Sequence, residues 1–167
     1  MFFRGLKILR ELNRRKAFSM KKLLLPPFVW FVSAVAMLLL HLTIPIDTWL
    51  PQPYSFLGSV AIVTGLGIAS WHSRLFRQLS TNIDTFGTPG QLTTEGLFSR
   101  TRNPMYLGFL MALVGVAFVL GTVSPLVGPA AFFGLAQYVY IPFEERAMAL
   151  KFGEKYLEYQ RSVSRWL

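Results

Sequence analysis

Two polar clusters bracket a pair of apolar runs in this chain, and their side chains are of the kinds that hold and orient polar ligands. The first cluster is Arg102-Asn103-Pro104-Met105-Tyr106-Leu107-Gly108, and the second is Glu144-Glu145-Arg146. Two apolar runs lie between them, separated by Gly121-Thr122-Val123-Ser124-Pro125. At a rise of about 1.5 Å per residue, each run is long enough as a helix to cross roughly a bilayer core. A helical hairpin would return the chain to the side it left, so the arginine and the glutamates predict a shared pocket at one membrane face.

Residues around these clusters have structural as well as functional interpretations. Gln137, Tyr140 and Glu144 share one helical face, and a glutamine at that depth is costly unless it faces other helices or a cavity. Asn103-Pro104 fits the N-cap and the first position of a helix. That interpretation does not explain why Arg102, Tyr106 and Gly108 occur in the same short segment as this pair. Glu144-Glu145 alone is equally consistent with a solvated helix end.

An earlier apolar run carries a stripe of small residues that ends on a histidine. The stripe consists of Gly58, Ala61, Gly65 and Ala69, and His72 follows on the same face. Small residues at these offsets let helix backbones approach closely in lipid, so the stripe predicts helix packing rather than cofactor contact at Gly65-Leu66-Gly67. For His72 two interpretations stay open: a satisfied interfacial histidine, or a proton acceptor near the site.

Composition places the chain among membrane proteins. It has 167 residues, of which 53% are hydrophobic and 15% charged, which predicts a single domain over residues 1–167. We expect residues 1–84 to hold an interfacial helix and the first helix pair, and residues 85–167 to hold a loop, the helical hairpin and the tail. There are no cysteines, so disulfides and cysteine-based metal sites are excluded. Two histidines, 31 residues apart, give little basis for a metal site, and we expect none.

The apolar runs and the basic residues together predict a topology. We expect an all-α polytopic bundle with four spans, at about 24–43, 55–73, 105–121 and 125–143. Of the 17 Lys and Arg residues, eight precede the first span, four lie in the loop after the second, and five follow Glu145. This distribution satisfies the positive-inside rule with both termini and the site cytoplasmic, and it accounts for the net charge of +9 without nucleic acid. The basic N-terminal segment repeats apolar residues at helical spacing, which predicts an interfacial helix before a retained first span.

The ordered set of motifs resembles the small integral-membrane methyltransferases, a superfamily that includes isoprenylcysteine carboxyl methyltransferases and phospholipid N-methyltransferases. The resemblance covers residues 85–167 and rests on Leu92-x-Thr94-x-Gly96, the 102–108 cluster, the hairpin, Glu144-Glu145, and a helical tail with Glu145-x4-Leu150-x-Phe152-Gly153-x2-Tyr156-x2-Tyr159 that closes on Arg165-Trp166. The chain departs from the family pattern in two places. It has Gly96-Leu97-Phe98 where members often have Gly-Pro-Tyr, and Asn103 where they often have histidine.

The resemblance implies an S-adenosylmethionine pocket at the cytoplasmic end of the hairpin, with S-adenosylhomocysteine as product. In that pocket Arg102 would grip the donor carboxylate, and Glu144 or Glu145 would accept from its ammonium or ribose hydroxyls. The amides near Met105 would suit an anionic group, Gly108 would allow close approach, and Tyr106 or Phe98 would pack on the adenine. The implied cofactor-binding residues are Thr94, Gly96, Phe98, Arg102, Asn103, Pro104, Met105, Tyr106, Leu107, Gly108, Gln137, Tyr140, Glu144 and Glu145, and the implied catalytic residues are Arg102, Glu145 and His72.

The implied reaction is an in-line displacement in which alignment supplies on the order of 7–11 kcal/mol of the barrier. The acceptor would be lipophilic and enter from the bilayer. A carboxylate acceptor needs no base, whereas an ammonium must first lose a proton, for which the chain offers only His72 or a glutamate. Two alternatives remain. One is an NADPH-dependent sterol-type reductase, which is disfavoured by the short chain, the paired glutamates and the lack of a basic cluster for a 2′-phosphate beyond Arg100 and Arg102. The other is a catalytically silent membrane scaffold.

Overall fold

The computed structural model describes residues 25–51, 53–78 and 90–167, and over these ranges the chain is helical without strands. Its helices are α1 (Pro26–Thr43), α2 (Phe56–Gln78), α3 (Pro104–Leu120), α4 (Val127–Leu135), α5 (Ile141–Phe152) and α6 (Glu154–Ser162). Short 3-10 turns cover Gly96–Ser99 and Ser124–Leu126, and a π-helical turn covers Ala136–Tyr140. The expectation of an all-α membrane bundle with a helical tail is confirmed, while the expected N-terminal interfacial helix lies outside the described residues.

Three helical stretches of the described chain are long and apolar enough to cross a membrane. They are Pro26–Thr43, Phe56–Leu75 and Ser124–Phe152, whereas the sequence predicts four spans. The remaining one corresponds to α3, which has 17 residues and is therefore only about 25 Å long. Its length is set by Pro104 at its first turn and by Gly121, whose φ of 69° ends it in a left-handed cap.

Helix α3 is the centre of the bundle. Met105, Tyr106, Phe109 and Leu113 are buried in one core together with Phe132, Ala136, Tyr140 and Ile141 of the last helical stretch. Trp30 of α1 stacks on Phe109 and donates its Nε1 proton to the Phe109 carbonyl at 3.0 Å. The helix that begins at the first polar cluster is thus wrapped by the other helices, which fixes where that cluster lies.

Helices α2 and α3 touch along their backbones, as the small-residue stripe predicts. A Cβ on Gly108 would lie 2.5 Å from the Gly65 carbonyl oxygen, and one on Gly115 would lie 2.6 Å from that of Gly58. Real Cβ atoms essentially never approach so closely, so both pairs require glycine. The backbone of α2 therefore occupies the space beside Gly108, where the sequence analysis expects a ligand.

The last helical stretch is longer than the predicted span over 125–143. It runs without a break through the π-helical turn into α5, which ends at Phe152 before Gly153. A π-helical turn accommodates an extra residue and often marks a functional site. Here it contains Gln137 and Tyr140, two of the residues singled out from the sequence.

The connections at the other end of α3 from the first polar cluster are held together by hydrogen bonds. His41 Nδ1 lies 2.8 Å from Thr122 Oγ1, and Trp49 Nε1 donates to the Thr122 carbonyl at 3.1 Å. Thr48 and Thr122 also form an isolated antiparallel bridge. This group, which we call the distal clasp, ties the α1–α2 connection to the end of α3.

Candidate active site

Two arginines bind one glutamate at the end of the bundle where α3 begins. Arg102 Nη2 lies 2.9 Å from Glu145 Oε1, and Arg165 Nη2 lies 2.6 Å from Glu145 Oε2. A further bond joins Arg165 Nε to Glu145 Oε1 at 3.2 Å, which makes the second contact bidentate. The Arg102 and Glu145 side chains are only 9% and 12% exposed. We call these three residues the charged cluster; it confirms that the hairpin brings Arg102 to Glu145.

Arg102 also holds the end of the tail helix. Its Nη1 donates to the carbonyls of Gln160 at 2.7 Å and Val163 at 2.5 Å, and its backbone N–H donates to Ser164 at 3.0 Å. Among the described residues, its buried Nε has no hydrogen-bond partner. A bidentate grip on a ligand carboxylate would therefore use Nε together with an Nη group that exchanges its present partner.

Asn103 binds the tail rather than capping its own helix. The residue occupies the N-cap position of α3, but its side chain makes no capping bond. Its Nδ2 instead donates to the Arg165 carbonyl at 2.9 Å, and Thr101 Oγ1 donates to the same carbonyl at 3.2 Å. The Asn103 backbone N–H is satisfied by Thr101 Oγ1 at 3.1 Å. The N-cap interpretation is thus right for position and wrong for the side chain.

Tyr106 lies between the two polar clusters predicted from the sequence. Its hydroxyl donates to Glu144 Oε1 at 2.8 Å, and its ring stacks on Tyr140 with centroids 6.0 Å apart and an interplanar angle of 12°. Both rings are 2% exposed, whereas Glu144 is half-buried. The Glu144 carboxylate, next in sequence to Glu145 of the charged cluster, therefore binds one member of a buried aromatic pair.

Gln137 faces the tail from the π-helical turn. Its Oε1 accepts a hydrogen bond from Trp166 Nε1 at 2.8 Å, and Trp166 packs on Phe133 with ring centroids 5.1 Å apart. The expectation that this glutamine faces protein or a cavity rather than lipid is consistent with this contact. The partner, a tryptophan close to the last residue, was not singled out as a site residue.

Phe98 occupies a second buried aromatic group beside the charged cluster. Its carbonyl accepts a 2.7 Å hydrogen bond from the Tyr159 hydroxyl, and its ring lies 5.5 Å from His72 and 6.5 Å from Trp71. Burial raises the pKa of both Tyr156 and Tyr159 to about 12, and the carboxylate of Glu145 adds to the effect on Tyr156. Both phenol hydroxyls therefore stay protonated at physiological pH and can donate hydrogen bonds.

The remaining residues singled out from the sequence divide between the core and a surface cavity. Pro104 and Met105 are buried beneath the site, and Leu107 is half-buried. Thr94 and Gly96 line a cavity of about 410 Å³ with Trp71, Leu75 and residues 91–95. His72 is grouped with Phe98 rather than with the charged cluster. Sequence reasoning missed Arg165, Trp166 and Thr101 as site residues, although the first two close the tail motif of the resemblance.

Known proteins provide an independent comparison. A family model described as phospholipid methyltransferase matches residues 54–155. That range contains α2, α3 and both glutamates of the second cluster, but ends before Arg165. A curated relative, the methanethiol S-methyltransferase of Pseudomonas deceptionensis, is 32% identical over 154 residues, covering 81% of this chain and 56% of the relative. The chain thus spans little more than half the length of this relative. No solved structure matches the chain.

Proposed function

Because the chain belongs to the phospholipid methyltransferase family, we propose that it transfers a methyl group from S-adenosylmethionine to a lipophilic acceptor. The observation that carries this proposal is the meeting of Arg102, Glu145 and Arg165 beside the Tyr106–Glu144 pair. Both signs of charge lie there within hydrogen-bond reach of each other and are largely shielded from solvent. S-Adenosylmethionine carries both a carboxylate and an ammonium, and when bound it supplies an electrophilic methyl group.

The residues present fit the polar groups of this donor. The buried Nε of Arg102 leaves one charged donor for a carboxylate, and Arg165, whose side chain is 29% exposed, can contribute a second guanidinium. Glu144 is half-buried and suited to accept from an ammonium or a hydroxyl. The stacked rings of Tyr106 and Tyr140 hold this carboxylate in place from below. Gly108 has no ligand contact in this proposal, because Gly65 fills the space beside it.

The role of the chain in the reaction is to align the two substrates and to exclude water. Holding the reacting atoms in line can contribute on the order of 7–11 kcal/mol. A carboxylate or a thiolate needs no base, whereas a thiol or an ammonium must lose a proton first. Thiolate, carboxylate and amine acceptors therefore remain the candidate classes. His72 or Glu144 would accept the proton where one has to be removed.

We propose that the site faces the cytoplasm. The basis is the distribution of Lys and Arg: none lies in the connections around Asp47 and Ser124, whereas 17 lie elsewhere in the chain. The charged cluster is at the opposite end of α3 from those connections. Both halves of the chain would then act as one unit, with α2 supporting α3 and the tail closing the site.

The test is a calorimetric titration of the detergent-purified protein with S-adenosylhomocysteine and, separately, with NADPH. We expect saturable binding of the former alone. Glu144→Gln should weaken it by about tenfold or more, because a hydrogen bond to a charged group contributes roughly 1.5–3 kcal/mol. Glu154→Gln is the matched control, since that carboxylate is 65% exposed and pairs only with the exposed Arg161 among the described residues.

Two outcomes would overturn the proposal. Binding of NADPH without S-adenosylhomocysteine would favour reductase chemistry. Binding of neither, by a protein whose helical circular dichroism is intact, would favour a membrane scaffold. Equal affinities in the Glu144→Gln and Glu154→Gln variants would leave the methyltransferase assignment standing but remove Glu144 from the donor site.

A further inference from the structure

A second cavity, which is shallow and widely open to its surroundings, adjoins the one that Thr94 and Gly96 line. It has a volume of about 610 Å³ and mostly apolar walls, formed by Thr64, Gly67, Ile68, Trp71, Gly96 and Leu97. Its volume lies within the range of small-molecule sites in proteins. Trp71 and Gly96 line both cavities, so the two share a wall. The smaller cavity adds the polar side chains of Gln91, Thr93 and Glu95. The apolar cavity, which we call the groove, and the more polar one thus lie next to each other.

Gly67 leaves this groove open. No described residue lies within 4 Å of the position that a Cβ on Gly67 would take. Gly58 and Gly65 of the same helix, by contrast, are both filled by the backbone of α3. Glycine lowers helix stability relative to alanine, so helix packing does not explain its use at Gly67. A side chain at this position would project into the groove.

The groove opens on a helix that spans the membrane. Gly67 lies within the apolar stretch Phe56–Leu75, eight residues before its end, or about 12 Å along the helix axis. Its surroundings outside the protein are therefore lipid hydrocarbon. An aliphatic chain is the occupant that such a groove admits without removing any polar group from water.

Packing contacts link the wall of the groove to the segment that the charged cluster holds. Trp71 contacts Phe98, whose carbonyl accepts the hydrogen bond of Tyr159. Tyr159 belongs to α6, and Arg102 binds the carbonyl of the next residue, Gln160. Two steps of direct contact therefore connect the groove wall to the helix that the charged cluster holds.

We propose that this groove binds the aliphatic chain of the methyl acceptor, and that Gly67 and Trp71 determine the length and width of chain accepted. The proposal rests on the methyltransferase function proposed above. Gly67 leaves space for the chain, and Trp71 forms the wall between the chain and the more polar cavity. An acceptor as small as methanethiol would leave most of the groove empty, so the acceptor class is one that carries an alkyl chain of several carbons.

The test compares acceptors that differ only in chain length. Wild-type protein in nanodiscs is assayed with 1-alkanethiols, S-alkyl-N-acetylcysteines and lysophosphatidylethanolamines, each with chains from two to twelve carbons where the compound allows. For the head group that is methylated, Gly67→Leu should lower kcat/KM about tenfold or more for chains of eight or more carbons, since several methylene groups lose contact. Chains of two to four carbons should change less than about twofold.

Matched variants separate a filled groove from a damaged helix. Gly134→Leu introduces the same side chain at another membrane helix position, where no atom of the described residues lies within 4 Å. This variant should leave the chain-length profile unchanged. Gly67→Ala should give a smaller shift in the same direction and serves if the leucine variant fails to fold. Trp71→Ala should extend the profile toward longer or branched chains.

Three results would overturn this inference. They are a Gly67→Leu profile equal to that of Gly134→Leu, an equal loss for short and long chains, and a wild type that prefers the two-carbon acceptor. Titration with S-adenosylhomocysteine accompanies every variant. Retained donor binding with an unshifted profile removes the groove alone, whereas a wild type that binds no donor removes the function and the groove together.

Discussion

The two ends of α3 are held by opposite chemistry. At its beginning, Arg102 and Arg165 converge on Glu145 through ion pairs, beside the neutral hydrogen bonds that Asn103 and Thr101 make to the tail. At its end, the distal clasp joins His41, Trp49 and Thr122 through single hydrogen bonds. Both arrangements tie a neighbouring segment to the same helix.

The difference indicates what the charges are for. Hydrogen bonds of the distal clasp suffice to hold a connection in place, so the fold alone does not require an ion pair at the other end. Buried ion pairs are weak evidence for stability, because desolvation offsets most of their attraction. Within the described part of the chain, one buried N–H of this charged cluster has no partner. Such a cluster is a costly way to hold a tail and a suitable way to receive a zwitterionic ligand. We therefore propose that the charged cluster serves binding and that the distal clasp serves structure.

Removing the shared carboxylate should have the largest effect. Glu145→Ala leaves two guanidinium groups close together without their counter-ion, and breaking a pair of this kind costs about 3–5 kcal/mol. We expect a lower thermal unfolding midpoint in detergent and loss of S-adenosylhomocysteine binding. The exposed control, Glu154→Ala, should change stability by less than about 1 kcal/mol. Equal midpoints for the two variants would contradict the burial of the charged cluster.

High pH should release the tail next. The pKa of Tyr156 and of Tyr159 is raised from 10.0 to about 12 in the folded protein, so folding favours their neutral forms. Their contribution is complete below pH 10 and is lost as pH rises through about 12. Absorbance of tyrosinate during an alkaline titration should show at least two of the six tyrosines titrating late. Six tyrosines that titrate together near pH 10 would contradict the docked position of α6.

A single hydroxyl of the same tail should contribute less. Tyr159→Phe leaves the Phe98 carbonyl without its 2.7 Å donor, which costs about 1–3 kcal/mol. Because this contact also orders the loop beneath the charged cluster, donor affinity should fall together with the unfolding midpoint. An unfolding midpoint that falls while donor affinity stays constant would show that α6 does not position the site.

The distal clasp should give the smallest effect. Thr122→Val removes the hydroxyl that lies 2.8 Å from His41 Nδ1 but keeps the carbonyl that Trp49 binds. The expected loss is about 1 kcal/mol of stability, with the affinity for S-adenosylhomocysteine unchanged within about twofold. A large loss of affinity in this variant would remove the functional distinction between the two ends of α3.

The sequence predicts contacts that follow from helix geometry and misses those made by the tail. The meeting of Arg102 and Glu145 follows from two apolar runs of similar length, and Gly65 packs where the small-residue stripe requires. Nothing in local spacing indicates that Asn103 binds the Arg165 carbonyl, because 62 residues separate them. The sequence analysis expects a ligand beside Gly108, because the spacing of apolar residues does not reveal that Gly65 packs there.

The π-helical turn fixes how α5 is rotated about the helix axis relative to α4. An α-helix advances about 100° per residue, so one additional residue rotates everything beyond it by that angle. Before the turn at Ala136–Tyr140, α4 buries Phe132 in the core. After the turn, α5 directs Glu145 toward two arginines. Deleting one residue from this turn would leave every side chain chemically intact and aim the carboxylates away from their partners. A substitution in the π-helical turn should therefore disturb the site less than the deletion or insertion of one residue there.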